Sequence, residues 1–173
     1  SLNDITLEEV RLACNNKRDR ALIEFAYSSG LRVSELAKLD IKDLDFSSNK
    51  LTVVGKGNKE RFVMFSDIAK FYIKQYLDER TDDNPALFVS IKKPYKRIGK
   101  RAIEKRFTKI KELLNMKKLY PHLLRHTFAT KLAATADITV VQKLLGHSSI
   151  NTTMVYAEIN DDKVNYQYKA SKL

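Results

Sequence analysis

The sequence predicts a mainly α fold with a small antiparallel β-sheet, an α+β domain. Three observations carry this expectation. Apolar residues recur at helical spacing through most of the chain. The period turns extended only between residues 44 and 65. No linker, internal repeat or low-complexity stretch divides the 173 residues. A chain of that length makes one domain and buries about two-thirds of its unfolded surface.

Thr6-Leu7-Glu8-Glu9 reads as a capping box that opens the first helix. A second helix, about 18–29, carries Ala21, Leu22, Phe25 and Ala26 on one side and stops at Gly30, a residue suited to the left-handed turn after a helix. A short helix follows through Val33, Leu36 and Leu39. Residues 44–46, 51–54 and 61–65 then read as three short strands. Gly55-Lys56-Gly57-Asn58-Lys59 joins the last two, and its two glycines and asparagine mark a hairpin loop.

Ser66 caps a helix of about 67–79, residues 81–85 form a polar loop, and 87–90 a brief extended piece. Near 101–115, Ile103, Phe107, Ile110 and Leu114 are spaced at +4, +3 and +4. One face of that helix packs, and the other offers Arg101, Lys105 and Lys109 to an anionic partner. Pro121 suits the first turn of the next helix, which runs to about Ala134. A helix near 138–145 stops at Gly146, and another lies near 151–158. Residues 159–173 hold only weak apolar spacing through Ile159, Val164 and Tyr168.

Composition excludes several classes. Hydrophobic residues at 43% and charged residues at 31% describe a soluble globular domain. No apolar run approaches the roughly 18 residues of a membrane span, so no membrane partner is expected. The opening Ser-Leu-Asn-Asp-Ile-Thr lacks a signal-peptide pattern, and the single cysteine, Cys14, permits no intramolecular disulfide. A reducing, cytoplasmic location is the expectation.

The charge is unevenly placed. Residues 1–86 hold 14 Lys/Arg against 15 Asp/Glu, whereas residues 87–173 hold 18 against 6. Within 92–118 there are 12 basic residues and only Glu104 and Glu112 to oppose them. Such a segment repels itself unless a polyanion answers it, which points to a phosphate backbone. A solvated face, or an RNA-associated role, fits the same charge.

Four passages concentrate reactive groups: Gly30-Leu31-Arg32-Val33-Ser34-Glu35-Leu36, Gly55-Lys56-Gly57, His122-Leu123-Leu124-Arg125-His126, and Leu145-Gly146-His147 with Tyr156 nine residues on. Together they hold the parts for attacking a phosphodiester without metal. Two guanidiniums can neutralise the non-bridging oxygens of a pentacoordinate phosphate. A lysine can protonate the departing oxygen, histidines can move protons, and a phenol can be the nucleophile. His122 and His126 have the spacing of two zinc ligands, but Arg125 lies between them and no glutamate follows the first. No metal and no cofactor are expected. Tyr166 and Tyr168 rival Tyr156 as nucleophile, and Tyr120 sits beside His122.

These passages resemble the tyrosine recombinase (phage integrase, Xer-like) family in order, spacing and flanking residues. The resemblance runs from Thr6 to about Glu158 and is strongest in residues 122–130 and 141–156. It implies the tyrosine recombinase catalytic domain fold. It makes Arg32 and Arg125 the phosphate-gripping arginines, Lys56 the general acid for the 5′-oxygen, and His122 and His147 the active-site histidines. Tyr156 becomes the nucleophile, chosen over its rivals by the nine-residue step from His147. Apart from the resemblance, Glu35, one turn after Arg32, is placed either to orient that guanidinium or to be a surface charge of the helix, with the first expected, and His126 reads as a structural or supporting histidine.

The implied activity is site-specific DNA recombination by metal-independent cleavage and rejoining through a 3′-phosphotyrosyl intermediate. The implied partners are double-stranded DNA recombination sites and, on synapsed DNA, a homotetramer; the fragment alone could stand as a monomer. Residues 1–173 are then a single catalytic domain, with the family's upstream DNA-clamping domain absent from this chain. The stretch between Thr130 and Val140 is about one residue short of the common form and lacks a helix-ending glycine near Thr135-Ala136. A non-catalytic DNA-binding relative and a basic RNA-binding or metal-hydrolase domain are the alternatives.

Overall fold

The computed structural model describes residues 1–146 and 160–173, and the backbone alone of Lys56. The helix near 151–158 therefore lies outside the described residues. Eight α-helices and three strands are described: α1 Asp4–Ala13, α2 Lys17–Ser29, α3 Val33–Lys38, β1 Leu44–Asp45, β2 Lys50–Val54, β3 Glu60–Met64, α4 Asp67–Glu79, α5 Lys100–Leu113, α6 Pro121–Ala133, α7 Ile138–Leu145 and α8 Asp161–Ala170. The mainly helical fold with a small antiparallel sheet is the observed one.

α2 is the central helix. Eleven of its 13 residues are buried, so it is wrapped on all sides rather than facing the core with one stripe. It packs against α4 and α6, while α3 packs on α5 and α7 on β3. The antiparallel sheet runs β1-β2-β3, with Val53 opposite Arg61 and Leu51 opposite Val63. Leu51, Val53 and Val63 turn inward from it, as period-2 alternation requires.

Where the chain changes direction, the local chemistry is visible. Asn16 and Ser66 cap α2 and α4 by accepting the backbone N–H of Asp19 and Ala69 at 2.8 and 3.0 Å. Gly30 and Gly146 end α2 and α7 in the left-handed conformation, at φ 65° and 71°. The first helix corrects the expectation. It begins before Thr6, because Asn3 accepts the Thr6 N–H at 2.8 Å and Asp4 supplies the acidic first turn. The missing glycine after α6 proves unnecessary. Ala134 stays right-handed, and the Ala136 N–H donates to Leu132 O at 2.8 Å.

The C-terminal segment forms α8, which docks on its own domain. Val164 and Tyr168 enter an apolar cluster with Met64, Phe128, Leu132, Val140 and Leu144. Each fully buried side chain of this kind contributes about 1.5–3 kcal/mol. Tyr168 Oη also donates to Ser28 O at 2.6 Å, and Gln167 Oε1 accepts the Asp137 N–H at 2.8 Å. α8 thereby braces the start of α7. No helix among the described residues is long and apolar enough to cross a membrane.

Candidate active site

Three arginines and one glutamate meet where α3, β3, α6 and the end of α7 converge. Arg32 caps α3, and its backbone N–H donates to Glu35 Oε1 at 2.9 Å. That closes a tight first turn and points Glu35 inward. Arg61, at the start of β3, makes a forked pair with Glu35, Nη1 to Oε2 at 2.7 Å and Nη2 to Oε1 at 3.0 Å. Its Nε donates to Leu144 O at 3.0 Å. Arg125, buried in α6, donates Nη1 to Gly30 O and Nη2 to Leu145 O, the latter at 2.7 Å. Two successive carbonyls at the end of α7 are thus each held by an arginine.

The electrostatics follow from crowding three cations around one anion. Burial first, and then the charges of Arg32 and Arg61, lower the Arg125 pKa to about 10 against the opposing pull of Glu35. Burial alone would raise Glu35, yet its hydrogen bonds from Arg61 and from the Arg32 backbone, with both charges, hold it below the usual carboxylate range. Positive charge exceeds negative in a partly desolvated setting, which favours an incoming oxyanion. Arg125 engages two of the five guanidinium N–H donors on carbonyls, leaving three.

The β2–β3 hairpin closes over this cluster. A Cβ on Gly55 would lie 3.3 Å from Arg61 Nη1 and 3.8 Å from Glu35 Oε2, so glycine there lets the strand end approach the ion pair. Lys56 follows, opening a 3₁₀ turn over Lys56–Asn58 in which Gly57 takes φ 74°. A groove of about 610 Å³, lined by Arg32, Glu35, Lys38, Thr52, Val54 and Gly55, runs between α3 and β2.

The remaining candidates fall into three groups. His122 and His126 stand exposed one turn apart on α6. His147 and Tyr156 lie outside the described residues; the described chain leads to His147 through Gly146. Arg101, Lys105 and Lys109 are exposed on α5, opposite the buried Ile103, Phe107 and Ile110. Of the rival tyrosines, Tyr168 is buried and hydrogen-bonded to Ser28 O, and burial drives its phenol far above the ordinary value. Tyr166 is 75% exposed and Tyr120 44%.

Sequence reasoning missed Arg61, the residue that holds both carboxylate oxygens of Glu35. The Arg32 guanidinium stays 3.7 Å from Glu35 Oε2, whereas Arg61 takes the fork. Nothing local marks Arg61, because its partners lie 26 and 83 residues away. Nor are all basic residues of 92–118 turned to solvent. Arg97 donates to Ala37 O and Leu39 O and pairs with Asp40. Arg106 pairs with the buried Asp19 at 2.7 Å.

The chain as a whole is similar to known proteins. The model of the phage integrase family matches residues 2–163. A tyrosine recombinase XerC of Haemophilus influenzae (strain PittEE) is 47% identical over 149 residues, covering 83% of this chain and 50% of the relative. The chain spans about half the length of the curated relatives it matches. Among solved structures, that of XerA recombinase is similar with a TM-score of 0.78 and 31% identity, over 99% of this chain and 65% of the other. A pre-cleavage complex of XerH site-specific recombinase bound to difH substrate has a TM-score of 0.69 and 27% identity, over 91% and 50%. With the sequence passages, the helical fold and a family match over almost its whole length, the chain belongs to the phage integrase family.

Proposed function

We propose that this chain is the catalytic domain of a site-specific DNA recombinase, cleaving and rejoining DNA through a 3′-phosphotyrosyl link to Tyr156. The observation that carries the reading is the gathering of Arg32, Arg61 and Arg125 around the single carboxylate of Glu35. Such a site is short of negative charge, and a phosphodiester supplies it.

The residue roles follow from that chemistry. Tyr156 Oη attacks the phosphorus and the bond to the 5′-oxygen breaks. Lys56, carried on the hairpin turn, protonates that oxygen as it leaves. Arg32 and Arg125 stabilise the non-bridging oxygens, with charge that needs no metal. His122 and His147 hold the phosphate and move protons. A 5′-hydroxyl from a partner duplex then attacks the link and restores the tyrosine, so strands exchange without a cofactor. Arg101, Lys105 and Lys109 grip the backbone. The XerH relative is bound to a DNA substrate, and double-stranded DNA is the corresponding ligand here. Four protomers on two synapsed sites, acting in the cytoplasm, complete the reading.

The test is covalent capture. Incubation with a nicked duplex in excess EDTA should yield an SDS-resistant protein–DNA adduct, and Tyr156→Phe should bind the duplex without forming it. Failure of the unsubstituted chain to form the adduct, or its formation only with a divalent ion, overturns the mechanism. An adduct that persists in Tyr156→Phe moves the nucleophile to the exposed Tyr166.

A further inference from the structure

Glu35 stands between two arginines and serves them unequally. Arg61 takes both carboxylate oxygens at 2.7 and 3.0 Å, while the Arg32 guanidinium remains at 3.7 Å. The Arg61 and Glu35 side chains are 9% and 8% exposed, and Arg32 keeps 41%. Proximity in sequence would favour the reverse, since Arg32 lies three residues from Glu35 and Arg61 twenty-six. Two further features hold Arg61 in place. Its Nε donates to Leu144 O, and it passes so close to Gly146 that a Cβ there would lie 2.7 Å from Arg61 Cδ.

We propose that Arg61 is a positioning residue that occupies Glu35 and so keeps Arg32 free to bind a DNA phosphate. The role of Arg32 rests on the functional reading above. A buried carboxylate without a partner is strongly unfavourable, so it recruits the nearest cation. Without Arg61 that cation is Arg32, which needs to close by only about 1 Å to reach charge-assisted hydrogen-bond length. A guanidinium drawn inward then competes with itself for the phosphate. Arg61 prevents this by supplying a fork that Glu35 prefers. Arg125 takes no part in the exchange, because one N–H of each of its Nη groups is anchored on Gly30 O and Leu145 O, which fixes the guanidinium in place.

The charge logic makes a double-variant test possible. Arg61→Met should slow single-turnover adduct formation on a nicked duplex by about 10²-fold, the usual loss for one misplaced transition-state donor. Arg61→Met/Glu35→Gln should react within about tenfold of Glu35→Gln alone, because Arg61 matters only while Glu35 is charged. A purely structural Arg61 would leave the double variant as impaired as the single one. A double variant more than tenfold slower than Glu35→Gln overturns the proposal. So does an inactive Glu35→Gln chain, since the carboxylate charge would then be needed rather than merely answered. Should Arg61→Met not fold, the double variant against Glu35→Gln decides alone. A readout independent of cleavage separates this proposal from the functional reading. The Arg32 Nε–Hε resonance should shift and gain protection from solvent exchange in Arg61→Met, and return toward its original position in the double variant. No shift in Arg61→Met overturns the proposal whether or not the chain cleaves DNA.

Discussion

Replacing Gly30 by alanine tests how the fold holds Arg125. Gly30 and Gly57 share a left-handed backbone, at φ 65° and 74°, so alanine at either place carries a strain of roughly 1–2 kcal/mol. It also recovers about 0.4–1 kcal/mol from a less flexible unfolded chain at both. The sites differ in space. A Cβ on Gly57 meets nothing within 4 Å, whereas one on Gly30 would lie 2.3 Å from Phe128 Cδ1 and 2.6 Å from Cε1. Phe128 is fully buried in α6, three residues from Arg125, and cannot swing into solvent. Overpacking of that kind costs about 1–3 kcal/mol. Gly30→Ala should therefore be less stable than Gly57→Ala by about 1–3 kcal/mol in urea unfolding with equal m-values. Since Gly30 O accepts from Arg125 Nη1, it should also lose adduct formation out of proportion to its loss of stability. Equal destabilisation of the two variants would refute the packing argument, and unimpaired cleavage by folded Gly30→Ala would refute the link to Arg125.

Lys56→Ala should bind DNA nearly as well as the original chain but cleave it roughly 10²–10⁴-fold more slowly, as expected for loss of a general acid. Sulfur in place of the bridging 5′-oxygen should restore much of its rate and should not rescue Arg32→Ala; equal rescue of both would remove Lys56 from that role. Removing Arg101, Lys105 and Lys109 together should flatten the salt dependence of DNA binding by about 0.9 in log–log slope for each phosphate no longer gripped. An unchanged slope would mark that face of α5 as solvation alone. Tyr168→Phe should cost about 1–3 kcal/mol in thermal or urea unfolding, because Ser28 O is left buried without its donor. It should still form the adduct, and loss of attachment in a folded Tyr168→Phe chain would make Tyr168 a rival nucleophile again.

The basic half of the chain divides by what its side chains touch. Arg101, Lys105 and Lys109 are exposed and open to a polyanion, whereas Arg97 and Arg106 bind groups within the fold. The Arg106–Asp19 pair fastens α5 to α2, so the helix that presents the exposed cations is itself tied down by one of their neighbours. Removing Arg106 should weaken the fold rather than the salt slope.

Short-range physics makes most of the fold legible in the sequence. Apolar residues at helical spacing together with one start or stop residue mark four helices along the chain itself: Gly30 ends α2, Ser66 caps α4, Pro121 opens α6 and Gly146 ends α7. The hairpin is equally plain, because Gly57 and Asn58 take the positive φ that such a loop demands. The reactive residues are legible for a related reason: Arg32, Lys56, His122, Arg125, His147 and Tyr156 sit in passages whose order and flanks resemble a known family. α8 is nearly invisible in the sequence, since Val164 and Tyr168 alone of its ten residues are buried and most of the rest is polar. Only the tertiary structure decides which arginine Glu35 pairs with, because Arg61, Glu35 and Leu144 are brought together by α3, β3 and α7 from distant parts of the chain. Local signals act over about one helical turn or one strand pair. Pairing of buried charges depends on where several elements converge, and no window along the chain contains that information.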